Sequence, residues 1–137
     1  MELLAVIVIL ALLITVAVPN VIAISKKIRA EMFCEKVDMI LDAAKLYGQD
    51  NYDDINDKIK KSEGSTISLS VAELINNNYL KKEDKNCVLN SPNSPCLKDP
   101  RDNSSMDNKG VELGIRNKRV YATYNYTKEE KETCKVD

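Results

Sequence analysis

Glu2-Leu3-Leu4-Ala5-Val6-Ile7-Val8-Ile9-Leu10-Ala11-Leu12-Leu13-Ile14-Thr15-Val16-Ala17-Val18-Pro19-Asn20-Val21-Ile22-Ala23-Ile24 is the stretch whose reading decides how this chain is organised. From Leu3 to Ile24 the only polar members are Thr15 and Asn20. As an α-helix this run would extend roughly 33 Å at about 1.5 Å per residue, enough for a hydrocarbon core of about 30 Å. A small domain has too little interior to cover such a helix on every side, so the run is expected to meet a membrane. A cleaved secretory signal starts with basic residues and has a shorter apolar stretch, whereas this one starts with an acid. A carboxylate beside hydrocarbon is costly and needs a partner, which makes Glu2 a functional candidate. Pro19 removes a backbone donor and clashes with the preceding turn, so it should kink or locally melt the helix.

The remainder of the 137 residues narrows the function classes. The chain has 20 basic and 21 acidic side chains for a formal net charge of −1, and residues 1–25 hold only Glu2. The rest is therefore neutral as a block and has no overall attraction for nucleic acid. Histidine is absent, which excludes Ser-His-Asp and Cys-His hydrolases, His-ligated zinc and imidazole switches. Four glycines supply no Gly-rich phosphate loop. No nucleophile–base pair is recognisable, and an enzyme is not expected.

Between Ser25 and Tyr47 neither proline nor glycine interrupts the chain, and the helix should continue over 26–48, with Gly48 as its C-cap. Lys27, Glu31, Glu35, Asp38, Asp42 and Lys45 recur every three or four residues and line one charged face. Ile28, Met32, Met39, Ala43 and Leu46 lie on one apolar side, and Phe33, Val37, Ile40, Leu41, Ala44 and Tyr47 on another. Packing against its own domain needs an apolar arc of only about 100°. The wider arc here suggests that one side meets a small sheet and the other meets neighbouring subunits.

Residues 49–137 should form one small globular domain, giving an α+β fold. Asn51 to Gly64 reads as a loop with one helical turn near Ile55 to Ile59. Ser70-Val71-Ala72-Glu73 fits a capping box and starts a short helix reaching about Asn77. Asn86 to Asn108, with Pro92, Pro95 and Pro100, reads as a long loop. Val111, Leu113 and Ile115, then Val120, Ala122 and Tyr124, alternate around Asn117-Lys118 as an antiparallel β-hairpin.

Cys34, Cys87, Cys96 and Cys134 are even in number and contain no C-x-x-C pair, which favours an oxidising compartment. Lys26, Lys27 and Arg29 after the apolar run would by themselves point to the cytoplasm; the cysteines favour a domain outside the cell membrane. Three connectivities are open, and the short ring across the Pro-rich loop favours Cys87 with Cys96, leaving Cys34 for Cys134. Asp99, Asp102, Asn103 and Asp107 offer the hard oxygen ligands that calcium prefers, but without EF-hand spacing or a bidentate Glu. Ordinary turn chemistry is therefore the stronger expectation for them. Arg116, Lys118 and Arg119 at the hairpin turn form the one local basic cluster suited to a ligand such as DNA, binding to which would weaken with salt.

The start of the chain, from Glu2-Leu3-Leu4-Ala5-Val6 to Pro19, closely resembles the N-terminal segment of type IV pilins and type II secretion pseudopilins. Ile67 to Lys81 and Lys98-Asp99-Pro100 are similar to the globular part of major pseudopilins and their Gram-positive competence and pilus relatives. The resemblance implies a long N-terminal helix, with residues 1–25 for membrane and polymerisation, packed on a small domain with a short helix and a β-hairpin or small sheet. It implies a non-enzymatic structural subunit that forms a homo-oligomeric helical filament, a type IV pilus or a secretion or competence pseudopilus. Glu2 matches the glutamate that pairs with a neighbour's N-terminal amine, and Pro19 matches the helix-melting proline. Implied partners are prepilin peptidase, minor pseudopilins and an inner-membrane assembly platform. A basic leader, a glycine before the cut and an N-methylated phenylalanine belong ahead of Met1, so the chain is expected to be an N-terminally truncated form of that precursor. The alternative within the same family is a minor tip subunit that binds DNA or another ligand. Some pseudopilins hold calcium in the loop that here carries Asp99 to Asp107.

Overall fold

The computed structural model describes residues 2–62 and 64–136; within the first helix, the side chains of Glu2, Leu13 and residues 15–19 lie outside the described ones. Helix α1 (Glu2–Asp50) runs without interruption through Pro19, so the backbone there is kept helical rather than melted. Its far half is amphipathic. Phe33, Val37, Ile40 and Ala44 recur every three or four residues and are fully buried, forming the stripe on which the domain packs. Gly48 continues that stripe inside the helix and is not its C-cap. A Cβ at Gly48 would stand 2.6 Å from Val120 Cγ1, so the missing side chain lets the sheet cross α1 closely.

Helix α2 (Tyr52–Lys61) replaces the loop expected after α1. Asp53 and Asp54 occupy its first turn and Lys58, Lys60 and Lys61 its last, signs that favour a helix through its macrodipole. Ile55 anchors it in the core.

Strands β1 (Thr66–Ser70), β2 (Gly110–Arg116) and β3 (Arg119–Tyr124) form an antiparallel sheet in the order β1-β2-β3. The β2–β3 hairpin has the expected register, with Arg116 opposite Arg119. Asn117 and Lys118 both take positive φ, 52° and 62°, as a two-residue turn matched to strand twist requires. Strand β1 was not anticipated. Its buried Leu69 pairs with Val111, and Ile67 pairs with Leu113. Helix α3 (Val71–Asn76) begins at the expected capping box: Ser70 Oγ accepts from the Glu73 N–H, and Glu73 Oε2 accepts from the Ser70 N–H at 2.7 Å.

The long loop before β2 is organised by a buried carboxylate. Asp107 is fully enclosed and accepts from the N–H groups of Leu97 (2.8 Å), Cys96 (3.0 Å) and Asn90 (3.3 Å). The Cys87–Cys96 disulfide closes the same loop, and Cys34–Cys134 joins α1 to the last helix, so the favoured connectivity is the one formed.

That last helix, α4 (Lys128–Cys134), has its own capping box between Thr127 and Glu130. Glu130 is buried and accepts from Arg101 Nη2 at 3.1 Å and Lys109 Nζ at 3.2 Å. Arg101 also grips Asp99, with Nη2 2.6 Å from Oδ2, and its guanidinium lies 3.6 Å from the Phe33 ring centroid. Burial alone would raise the Glu130 carboxyl, but the Thr127 N–H, Lys109 and Arg101 outweigh it and hold it below its ordinary 4.5. Burial pushes the neighbouring Tyr124 hydroxyl well above its ordinary value, keeping it neutral.

Two stability predictions follow from this arrangement, both for the full chain in neutral detergent. Replacing Cys34 and Cys134 together by Ser should cost roughly 3–5 kcal/mol, because that bridge closes the long loop, against roughly 2–3 kcal/mol for Cys87 and Cys96. Denaturant titrations followed by circular dichroism would rank them. A group whose folded pKa is depressed stabilises above its unfolded pKa and loses that contribution as pH falls through the folded one. The melting temperature should therefore drop as pH falls below 4.5. Glu130→Gln should lower it at neutral pH by the equivalent of about 1–3 kcal/mol and flatten that acid limb.

Candidate functional site

The apolar half of α1 has a surface that its own domain leaves uncovered. Leu3, Leu4, Val6, Ile7, Val8, Ile9, Leu10, Leu12, Ile14, Val21, Ile22 and Ile24 are all more than half exposed, from 52% for Ile22 to 77% for Leu3. Among the described side chains of α1, Phe33 is the first that is buried. Covering a large apolar side chain is worth roughly 1.5–3 kcal/mol, so leaving these twelve in water would forfeit on the order of 20 kcal/mol. That exceeds the typical stability of a whole domain, about 5–15 kcal/mol. An apolar surface of this extent is the kind that marks contact with another protein or a membrane.

Among the described residues, no helix is long and apolar enough to cross a membrane. The side chains of Glu2 and Pro19, and with them their expected roles in assembly, lie outside the described residues.

The uncovered surface continues along the domain-bearing half. Ile28, Met32, Met39 and Leu46 are 49–62% exposed on the side of α1 opposite its buried stripe. Their spacing of four, seven and seven is that of a helix–helix seam. Val21, Ile24, Ile28 and Met32 line one shallow depression. Met39 and Leu46 border a groove of about 580 Å³ shared with Tyr79, Leu80 and Leu97. The seam thus joins the rod to the flank of the domain. The division of apolar residues expected from the sequence holds for Phe33, Val37, Ile40 and Ala44 on the domain side; of the other side, Ile28, Met32, Met39 and Leu46 are exposed, while Ala43 is buried in the core.

The basic hairpin residues do come together. Arg116 and Arg119 are cross-strand partners on the sheet face that also carries Tyr121, and Lys118 occupies the turn. The Arg116 guanidinium lies 5.5 Å from the Tyr121 ring centroid. Tyr121 lies against Gly114, where any Cβ would collide with the ring. Sequence reasoning found the three cations and missed the tyrosine.

The acids weighed as calcium candidates each have partners within the loop and its surroundings. Asp99 is taken by Arg101, Asp102 Oδ1 accepts from the Ser104 N–H at 2.9 Å, and Asp107 is filled by backbone donors. Among the described residues no group of three or more acidic, cysteine or histidine side chains converges for a metal. The Asp99–Arg101–Glu130 cluster was also missed, although Thr127-Lys128-Glu129-Glu130 spells the same capping signature that located α3.

Neither a protein-family model nor any curated protein or solved structure matches the chain.

Proposed function

We propose that this chain is a structural subunit of the pilin or pseudopilin type, which assembles through its apolar N-terminal helix into a helical filament. The observation that carries the proposal is the uncovered rod: twelve large aliphatic side chains exposed at one end of a helix whose other end is built into a folded domain. Within a bilayer they are covered by lipid, and within a filament by the rods of sister subunits. The subunit starts as a single-pass protein of the cytoplasmic membrane with its domain outside, an orientation supported by two disulfides. It is then taken up into a surface or periplasmic filament by an assembly platform, with minor subunits as partners and prepilin peptidase acting on the full precursor. It is not an enzyme in this role.

In the assembled state, Glu2 sits beside a neighbour's terminal amine, because a buried carboxylate is tolerable only next to a well-placed opposite charge. The exposed seam from Ile28 to Leu46 extends the contact along the domain. A second reading rests on the hairpin: Tyr121 with Arg116 and Arg119 on an open sheet face pairs a stacking surface with cations, the combination that holds single-stranded nucleic acid.

Glu2→Ala in the membrane-anchored precursor should abolish sheared filament yield while leaving the protein in the membrane fraction; undiminished filaments would defeat the proposal. Met39 is 62% exposed, so Met39→Glu should change stability by less than about 0.5 kcal/mol and still reduce assembly. Filament counts beside a thermal melt would separate the two effects. For the hairpin, labelled single-stranded DNA should bind with steep salt dependence and lose affinity in Tyr121→Ala. Absence of binding at low salt would remove the second reading alone.

A further inference from the structure

Where α1 leaves the domain, a groove of about 580 Å³ runs from Val21 and Ile22 to Lys26 and Arg29, with Arg101 of the domain on its border. Its two ends differ in chemistry, one aliphatic and one cationic. Lys26 and Arg29 are exposed and, among the described residues, pair with no acid, whereas Lys27 faces Glu31 at 4.0 Å. Arg101 is already balanced by Asp99 and Glu130. The unneutralised charge in the groove is therefore that of Lys26 and Arg29, opposed among the described lining residues by Glu129 on the rim.

The placement along the helix matches a lipid. Lys26 and Arg29 lie two and five residues past Ile24, roughly 3–8 Å beyond the end of the unbroken apolar run. The headgroup layer on each side of a hydrocarbon core is about 5–7 Å deep. We propose that this groove holds the phosphodiester of an anionic phospholipid, with an acyl chain against Val21 and Ile22 and the phosphate between Lys26 and Arg29. The proposal rests on the membrane reading above and adds a specific ligand to it. It also gives the basic collar a purpose outside the cytoplasm, where the charge bias of membrane topology does not place it.

The test uses the full chain in micelles of a neutral detergent, titrated with dioleoylphosphatidylglycerol or dioleoylphosphatidylcholine, with bound lipid counted by native mass spectrometry. Each basic side chain near an anionic headgroup is worth about fivefold. The wild type should therefore retain the glycerol lipid about tenfold or more over the choline lipid. Lys26→Gln with Arg29→Gln should erase the preference, Glu129→Gln should increase it, and the charge-matched Lys60→Gln with Lys61→Gln should leave it intact. No preference in the wild type, an equal loss in the Lys60 and Lys61 variant, or displacement by millimolar glycerol phosphate would overturn the proposal. Flotation of the wild type with pure phosphatidylcholine vesicles tests the underlying reading separately. If the chain floats without lipid preference, only the groove assignment fails; if it does not float, both fail.

Discussion

A single helix carries two surfaces of opposite fate, one buried against a folded domain and one left apolar and exposed. The far half of α1 is held by its own domain through Phe33, Val37, Ile40 and Ala44, while the near half presents aliphatic side chains that no part of the domain covers. One uninterrupted helix joins the halves, so a cover found for the rod positions the domain as well. The domain reaches the rod only at its base, beside Val21 and Ile22, among the described residues. Its task is to be firmly mounted on the shaft.

The mounting is concentrated near the point where the shaft emerges. Phe33 is the first buried side chain among those described, Cys34 beside it is bonded to Cys134, and Arg101 stacks on Phe33 while holding Asp99 and Glu130. Strand β3, β2, α3 and α4 all touch α1, and the close crossing at Gly48 secures the opposite end. A pull on the rod is thereby distributed over a covalent bond and a buried charge network. Losing one partner of such a network leaves a desolvated charge behind, which costs more than the contact itself. This explains why polar groups sit so deep in a small core.

Much of this was legible in the chain because the signals were local. The faces of α1 followed from three- and four-residue spacing, the α3 cap from Ser70 and Glu73, and the hairpin from alternation around Asn117-Lys118. The disulfide pairing followed from the short ring across the Pro-rich loop. What the sequence hid was set by tertiary contacts. Gly48 reads as a helix stop, but close approach by Val120 selects it. β1 is too short to announce itself and is fixed by pairing with β2. The acids of the long loop read as turn formers; which partners satisfy them, Arg101 for Asp99 and the Leu97 amide for Asp107, is set by how the loop folds back on itself. Of the candidate site, the apolar run was fully legible, and the Tyr121 platform was not, since it arises from strand register across Gly114.

If the rod passes from bilayer to filament, apolar contact with lipid is exchanged for apolar contact with sister rods. Acyl chains are as apolar as leucine, so this exchange supplies little driving force. Direction would then come from two polar points along the helix and one apolar surface outside the bilayer. Glu2 would favour the filament, because a neighbour's amine relieves a carboxylate that lipid cannot. The proposed lipid groove at Lys26 and Arg29 would favour the membrane, because its anionic lipid would have to be given up, or carried along, when the subunit leaves. The seam from Ile28 to Leu46 would favour the filament again, since outside the bilayer its alternative is water. A near-neutral exchange biased at three points is easily driven by a machine and easily reversed by one, as a dynamic filament requires.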